Sequence, residues 1–228
     1  MEERLKEHNL AINKFSIPKV LKENRDKNSP FLIAVEGPNG VGKSTLCKRI
    51  SKKFNAKYCF STPDKWMEYD IKKRMIFDAS WLSSALYFFS GTMEIKRELD
   101  NELSCNDLVI MDRSFWSTLA VNWIADFERI DFLLSIVSKG SEFLPIPDII
   151  IILDADYEVC EARINSKTDI GKNLDQVSKE SFFKEKTYYD WLEKELDDVI
   201  RLDTSKSNQD EVFTKVCSMI DNRLIFKK

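Results

Sequence analysis

The chain has 228 residues, with 35 basic and 38 acidic side chains for a formal net charge of −3, 43% hydrophobic residues, and only six glycines and six prolines. That apolar content excludes a disordered chain, and the near balance of charge gives no ground for a general nucleic-acid-binding surface. The longest apolar runs, Phe31–Val35 and Ile149–Leu153, are too short to span a bilayer, and the opening Met-Glu-Glu-Arg is unlike a signal peptide, so the expectation is a cytoplasmic globular protein with no membrane or nucleic-acid partner.

In chain order, residues 1–29 precede any strand signal. Leu5, Leu10, Ile12, Phe15, Ile17 and Leu21 lie sparsely among charges, the pattern of a short amphipathic helix interrupted by Pro18, an arm that packs on the body or on a partner. Residues 30–228 read as one domain. Apolar runs at Phe31–Val35, Ala56–Phe60, Asp107–Met111, Asp148–Leu153 and Asp198–Leu202 predict five strands buried on both faces. Helices are expected over Lys43–Phe54, Ile71–Ile76, Trp81–Leu103, Trp116–Ala125, Ile130–Ser138, Tyr157–Asn165, Lys179–Leu196 and Gln209–Arg223. Strands alternating with crossover helices mean an α/β fold, a parallel five-stranded sheet with helices on both faces in three layers. The five cysteines (Cys47, Cys59, Cys105, Cys160, Cys217) are scattered and form no metal-like cluster with the lone His8, so they read as buried thiols.

After the first strand comes Glu36-Gly37-Pro38-Asn39-Gly40-Val41-Gly42-Lys43-Ser44-Thr45, which satisfies G-x-x-x-x-G-K-S/T between a strand and a helix, the phosphate-binding P-loop of ATP-using proteins. Its glycines let the backbone amides curl inward, and the helix that follows adds its positive N-terminal end. Lys43, exposed in the empty loop, is expected to reach the outer phosphates of ATP, and the Ser44 hydroxyl to hold Mg²⁺. In a second element a carboxylate, Asp112, emerges where the Leu108–Met111 run ends, at the sheet edge where ligands of parallel sheets bind, and is a candidate for Mg²⁺; a helix N-cap is its plainer reading.

Three blocks, Glu36–Thr45, Asp112-Arg-Ser-Phe-Trp-Ser-Thr-Leu-Ala120 and Pro147-Asp-Ile-Ile-Ile-Ile-Leu-Asp154 followed by Arg163, resemble the thymidylate kinases over residues 31–220. The resemblance implies transfer of the γ-phosphoryl group of MgATP to a (deoxy)nucleoside monophosphate, with dTMP the expected acceptor. It implies Arg113 on the acceptor phosphate with Ser117 in register beside it, Asn39 near the acceptor sugar, Phe89 stacked on the base, Arg163 as a cation over the transferring phosphate, and a lid near 166–178 that carries Lys167 and Lys172. It also allows a homodimer. An arginine expected four residues after the stacking Phe is Met93 here, with Arg97 one turn on as a substitute at greater reach. Ser114, Asn122 and Gln176 stand for the family's Tyr, Gln and Arg.

The departures lean towards a neighbouring family. Thr62-Pro63-Asp-Lys-Trp66, Asp112-Arg113-Ser114 and Tyr188-Tyr-Asp-Trp191-Leu192 resemble the deoxynucleoside kinases, which implies Trp66 as a wall of the base pocket and Thr62 in the place of the general base for a 5′-hydroxyl. Threonine cannot take that proton at neutral pH. The acceptor is therefore a small-molecule nucleotide or nucleoside. A non-kinase P-loop ATPase and an inactive nucleotide-binding relative are the further alternatives. Trp81, Phe88 and Trp123 read as packing, Asp203-Thr204 as the neighbourhood of the adenine pocket, and Asp154 and Asp156 as helix caps.

Overall fold

The computed structural model describes residues 2–23, 25, 29–104, 107–123, 127–167 and 178–225. Five strands, β1 (Phe31–Glu36), β2 (Lys57–Phe60), β3 (Leu108–Asp112), β4 (Ile149–Asp154) and β5 (Val199–Asp203), form one parallel sheet in the order β2-β3-β1-β4-β5. Every residue of β1 is buried, which explains the unbroken apolar sequence. Alternate residues feed opposite layers: Ile33, Val35, Ile110 and Ile151 pack beneath α3 (Lys43–Phe54) and α10 (Gln209–Ile225), while Ile150 and Ile152 face the opposite layer.

That second layer contains α5 (Trp81–Glu102), α6 (Phe115–Trp123), α7 (Phe127–Gly140) and most of α9 (Lys179–Glu195). α8 (Tyr157–Asn165) buries Cys160 with the first layer, and α4 (Tyr69–Lys73) buries no residue. Four strands run one residue further than the apolar pattern predicts, and each ends on an acid: Glu36, Asp112, Asp154 and Asp203. The expected 71–76 helix is instead α4 followed by a π-helical turn, Arg74–Asp78, closed by the Ala79 N–H on the Arg74 carbonyl at 2.9 Å.

The N-terminal segment is two helices, α1 (Glu2–Lys14) and α2 (Ile17–Glu23). The break is not at Pro18, which sits in the first turn of α2 where its missing N–H costs nothing; the chain turns at Ser16, with φ 51°. Both helices pack on α7 and bury Ala11, Ile12, Ile17 and Leu21 in the core. Cys47, Cys59, Cys160 and Cys217 are free, buried thiols; Cys105 lies outside the described residues. So do residues 168–177, and with them most of the expected lid, including Lys172 and Gln176. Among the described residues no helix is long and apolar enough to cross a membrane.

Candidate active site

The loop after β1 has the backbone its glycines permit. Gly37, Gly40 and Gly42 have φ of 128°, 87° and 101°, and a Cβ on Gly37 would lie 2.1 Å from the Leu153 carbonyl oxygen of β4, so no larger residue fits. No side chain caps α3, which leaves its orphan first-turn amides to an anion. The lysine is not exposed as expected. Lys43 is buried, its Nζ donating to the carbonyls of Gly37 (2.8 Å) and Pro38 (2.7 Å). The loop folds the ammonium back on its own carbonyls, the acceptors within its reach. Burial, and then Arg113, push its pKa down to about 7 against the opposing pull of Asp112, Glu185 and Glu36.

Asp112 is the last residue of β3, 3% exposed, and accepts from the Tyr58 hydroxyl at 3.3 Å. It is not the cap of α6: there the Ser114 hydroxyl accepts from Trp116 N–H (3.3 Å). Next to it Arg113 adopts φ 70°, a strained conformation for a non-glycine residue that tight surroundings must hold. Its N–H bonds the Val35 carbonyl. Its Nη1 donates to the Gly37 carbonyl (3.3 Å) and the Ser117 hydroxyl (3.0 Å), and its Nη2 to Asn39 Oδ1. The guanidinium is thus strapped to the P-loop.

Behind it lies Glu36, fully buried, to which sequence reasoning assigned no role. Its carboxylate accepts from the Ser114 N–H (2.7 Å), the Ser114 hydroxyl (2.6 Å), the Ser117 hydroxyl and the Tyr189 hydroxyl (3.2 Å). Burial raises its pKa, opposed by those Ser114 and Ser117 bonds and by Arg113. Glu36 therefore ties the end of β1 to the start of α6 and to α9. A glutamate ending an apolar strand one residue before the P-loop was the available signal.

These groups open on a cleft of about 1030 Å³. Of the predicted residues, Asn39, Gly40, Val41, Gly42, Lys43, Ser44, Thr45, Asp112, Arg113, Ser117 and Arg163 line it; Gly37 and Pro38 stand behind Lys43. Arg163 is anchored to the Thr204 carbonyl (2.8 Å) and hydroxyl (3.1 Å) and to the Gly40 carbonyl (3.4 Å). Thr204 lines the cleft as well, whereas Asp154 pairs with Lys186 and Arg201 and Asp156 caps α8 by position alone.

Four predicted residues are not brought to the cleft. Phe89 is 1% exposed, in the core, and Phe88, read as packing, lines the cleft instead; a step of one residue turns a helical side chain by about 100°. Arg97 points away, 61% exposed and paired with Glu94 at 2.6 Å. Thr62 is buried against Gly91, where a Cβ would come within 2.5 Å of it. Trp66 packs on Tyr87, whose hydroxyl donates to its carbonyl. In exchange the cleft gains Lys72 on α4, Arg49 on α3 and Glu185 on α9. Its charged lining is then Lys43, Arg49, Lys72, Arg113, Arg163 and Lys167 against Asp112 and Glu185, a cationic site suited to polyphosphate. Among the described residues no group of three His, Cys, Asp or Glu side chains is placed to hold a metal by itself.

The chain is similar to known proteins over most of its length. A probable thymidylate kinase of Picrophilus torridus is 29% identical over 172 residues, 72% of this chain and 82% of its own. Among solved structures, the Candida albicans thymidylate kinase superposes with TM-score 0.63 at 19% identity, over 86% of this chain and 93% of that one. A deoxyadenosine kinase from M. mycoides with bound dATP gives 0.65 at 15% identity, over 84% and 100%. At such identities the two structures establish the fold. The family model for thymidylate kinase matches residues 35–216, from the end of β1 into α10, and by that match the chain belongs to the thymidylate kinase family.

Proposed function

We propose that this protein transfers the γ-phosphoryl group of MgATP to a deoxynucleoside monophosphate, with dTMP the expected acceptor. The observation that carries the reading is one cleft lined by six cations and two carboxylates. Its volume, about 1030 Å³, is at the upper end of single-ligand sites, which run from about 300 to 1,000 Å³, and suits two ligands held end to end. The P-loop end, with the open N-terminus of α3, Thr204 and Arg163, takes ATP; the end lined by Phe88, Met67, Phe77 and Val121 takes the apolar face of the acceptor base.

Phosphoryl transfer needs little covalent help and much positioning. Lys43 exchanges its two carbonyl partners for the β- and γ-phosphates. Arg113, already aligned by Asn39, Ser117 and Gly37, grips the acceptor phosphate. Arg163 adds positive charge as negative charge develops on the equatorial oxygens. Ser44 at the head of α3 and Asp112 at the end of β3 are the groups to hold Mg²⁺, and the donor set fits, since that ion takes one or two protein oxygens and completes its shell with phosphate and water; when bound, it neutralises charge on the phosphates.

The test is ADP formation from MgATP with separate panels of nucleoside monophosphates and nucleosides. Turnover with dTMP, and none with thymidine, supports the reading. Turnover only with nucleosides would make the protein a nucleoside kinase, and hydrolysis indifferent to either panel an ATPase.

A further inference from the structure

Glu185 is unexplained by the roles assigned above. It projects from α9 into the cleft, 6% exposed, with Oε1 4.0 Å from Arg113 Nη1. At that distance there is attraction but no hydrogen bond, and among the described residues no hydrogen bond reaches its carboxylate. Arg113 Nη1, the atom nearest Glu185, already donates to Gly37 and Ser117, so it has no hydrogen left for the carboxylate. Glu185 is mostly covered, yet it lines the cleft, so a ligand seated there meets this carboxylate and can supply its donor.

The chemistry of the surroundings narrows what that donor is. A phosphate on Arg113 carries none and repels the carboxylate. The base, with its N–H groups, belongs at the apolar end beside Phe88 and Val121. What lies one guanidinium's width from an acceptor phosphate is the sugar. We propose that Glu185 accepts a hydrogen bond from the 3′-hydroxyl of the acceptor nucleotide and so selects acceptors that keep this hydroxyl. The assignment rests on the functional reading above and deepens it: the sugar is read by α9, with Asn39 and Arg113 completing the cradle.

The experiment compares wild type, Glu185→Gln and Glu185→Ala with dTMP and its 3′-deoxy analogue. A hydrogen bond to a charged group predicts that wild type favours dTMP by about tenfold to a hundredfold in kcat/KM. In Glu185→Ala the preference collapses to near unity through the KM of dTMP, with the KM of ATP unchanged; Glu185→Gln, which keeps an acceptor oxygen, restores part of it. An unchanged preference in Glu185→Ala overturns the proposal, as does an equal gain for both acceptors, which would make Glu185 merely a counterion of Arg113. Thermal shifts with each ligand in the absence of ATP separate this claim from the underlying one. No turnover with any monophosphate sinks the functional reading, whereas equal shifts of wild type by the two ligands sink the role of Glu185 alone.

Discussion

Replacing Glu36 by Ala removes the acceptor at the centre of the site without touching the cleft surface. Four donors lose their partner: the Ser114 N–H, the Ser114 and Ser117 hydroxyls and the Tyr189 hydroxyl. The serine hydroxyls can turn to other acceptors, but the amide and the buried tyrosine cannot follow. Two stranded buried donors cost about 1–3 kcal/mol each, so Glu36→Ala should lose about 2–6 kcal/mol, a large part of the roughly 5–15 kcal/mol that holds a domain together. One effect opposes this. Burial raises the Glu36 pKa, so the folded state holds the proton more tightly than the unfolded one, and stability from this group falls as pH rises from the ordinary carboxylate value towards the folded one. Glu36→Gln cannot titrate and still accepts from the Ser114 N–H; it should lose less than the alanine variant and flatten that pH dependence. Urea unfolding across pH 4–8 reads both. An alanine variant within about 0.5 kcal/mol of wild type, the range of surface substitutions, would refute the hub role.

Three further outcomes follow from the geometry. Lys43 folds with its pKa lowered to about 7 from 10.5, so the unfolded chain binds the extra proton and stability should rise with pH between those values; Lys43→Met should be the more stable at pH 7 without ligand, lose that advantage by pH 10 in thermal melts, and transfer no phosphate. Phe89→Ala should cost about 3–5 kcal/mol as a core truncation, while Phe88→Ala should leave denaturant midpoints nearly unchanged and raise the acceptor KM; the reverse pattern would restore Phe89 as the stacking ring. His8, buried edge-on to Trp191 with a pKa lowered to about 4, resists protonation that the unfolded chain accepts, so stability should fall as pH drops from about 6.5 towards 4, by up to about 1.4 kcal/mol per unit. His8→Phe should flatten that decline in acid titrations of folding, and an unaltered slope would clear His8.

Much of this was legible in the sequence where a single local requirement dictates the residue. The P-loop is such a case, because positive φ and the approach of Leu153 exclude side chains at Gly37. The centre of the sheet is another, since burial on both faces leaves β1, β3 and β4 apolar up to their terminal acids. What stayed hidden depends on rotation or on distance along the chain. Phe88 and Phe89 differ by one step around α5, and only packing decides which enters the core. Arg97 lies on the expected helix, yet a half-buried partner, Glu94, holds it away from the cleft. Glu36 and Tyr189 meet across 153 positions, and Glu185 meets Arg113 between α9 and the end of β3; no spacing rule connects such pairs. The turn at Ser16 rather than Pro18 shows the opposite error, a helix breaker that the first turn of a helix accommodates.

The central claim is that the curl of amides at residues 37–44 delivers a phosphoryl group to a nucleotide held by Arg113. Incubating the protein with MgATP labelled at the γ-phosphate and unlabelled dTMP, then separating the products, tests it directly. The account predicts label in dTDP, lost in Lys43→Met and reduced in Arg113→Ala by a rise in the KM of dTMP larger than that of ATP. Label that appears only in inorganic phosphate, at a rate dTMP does not change, would contradict it.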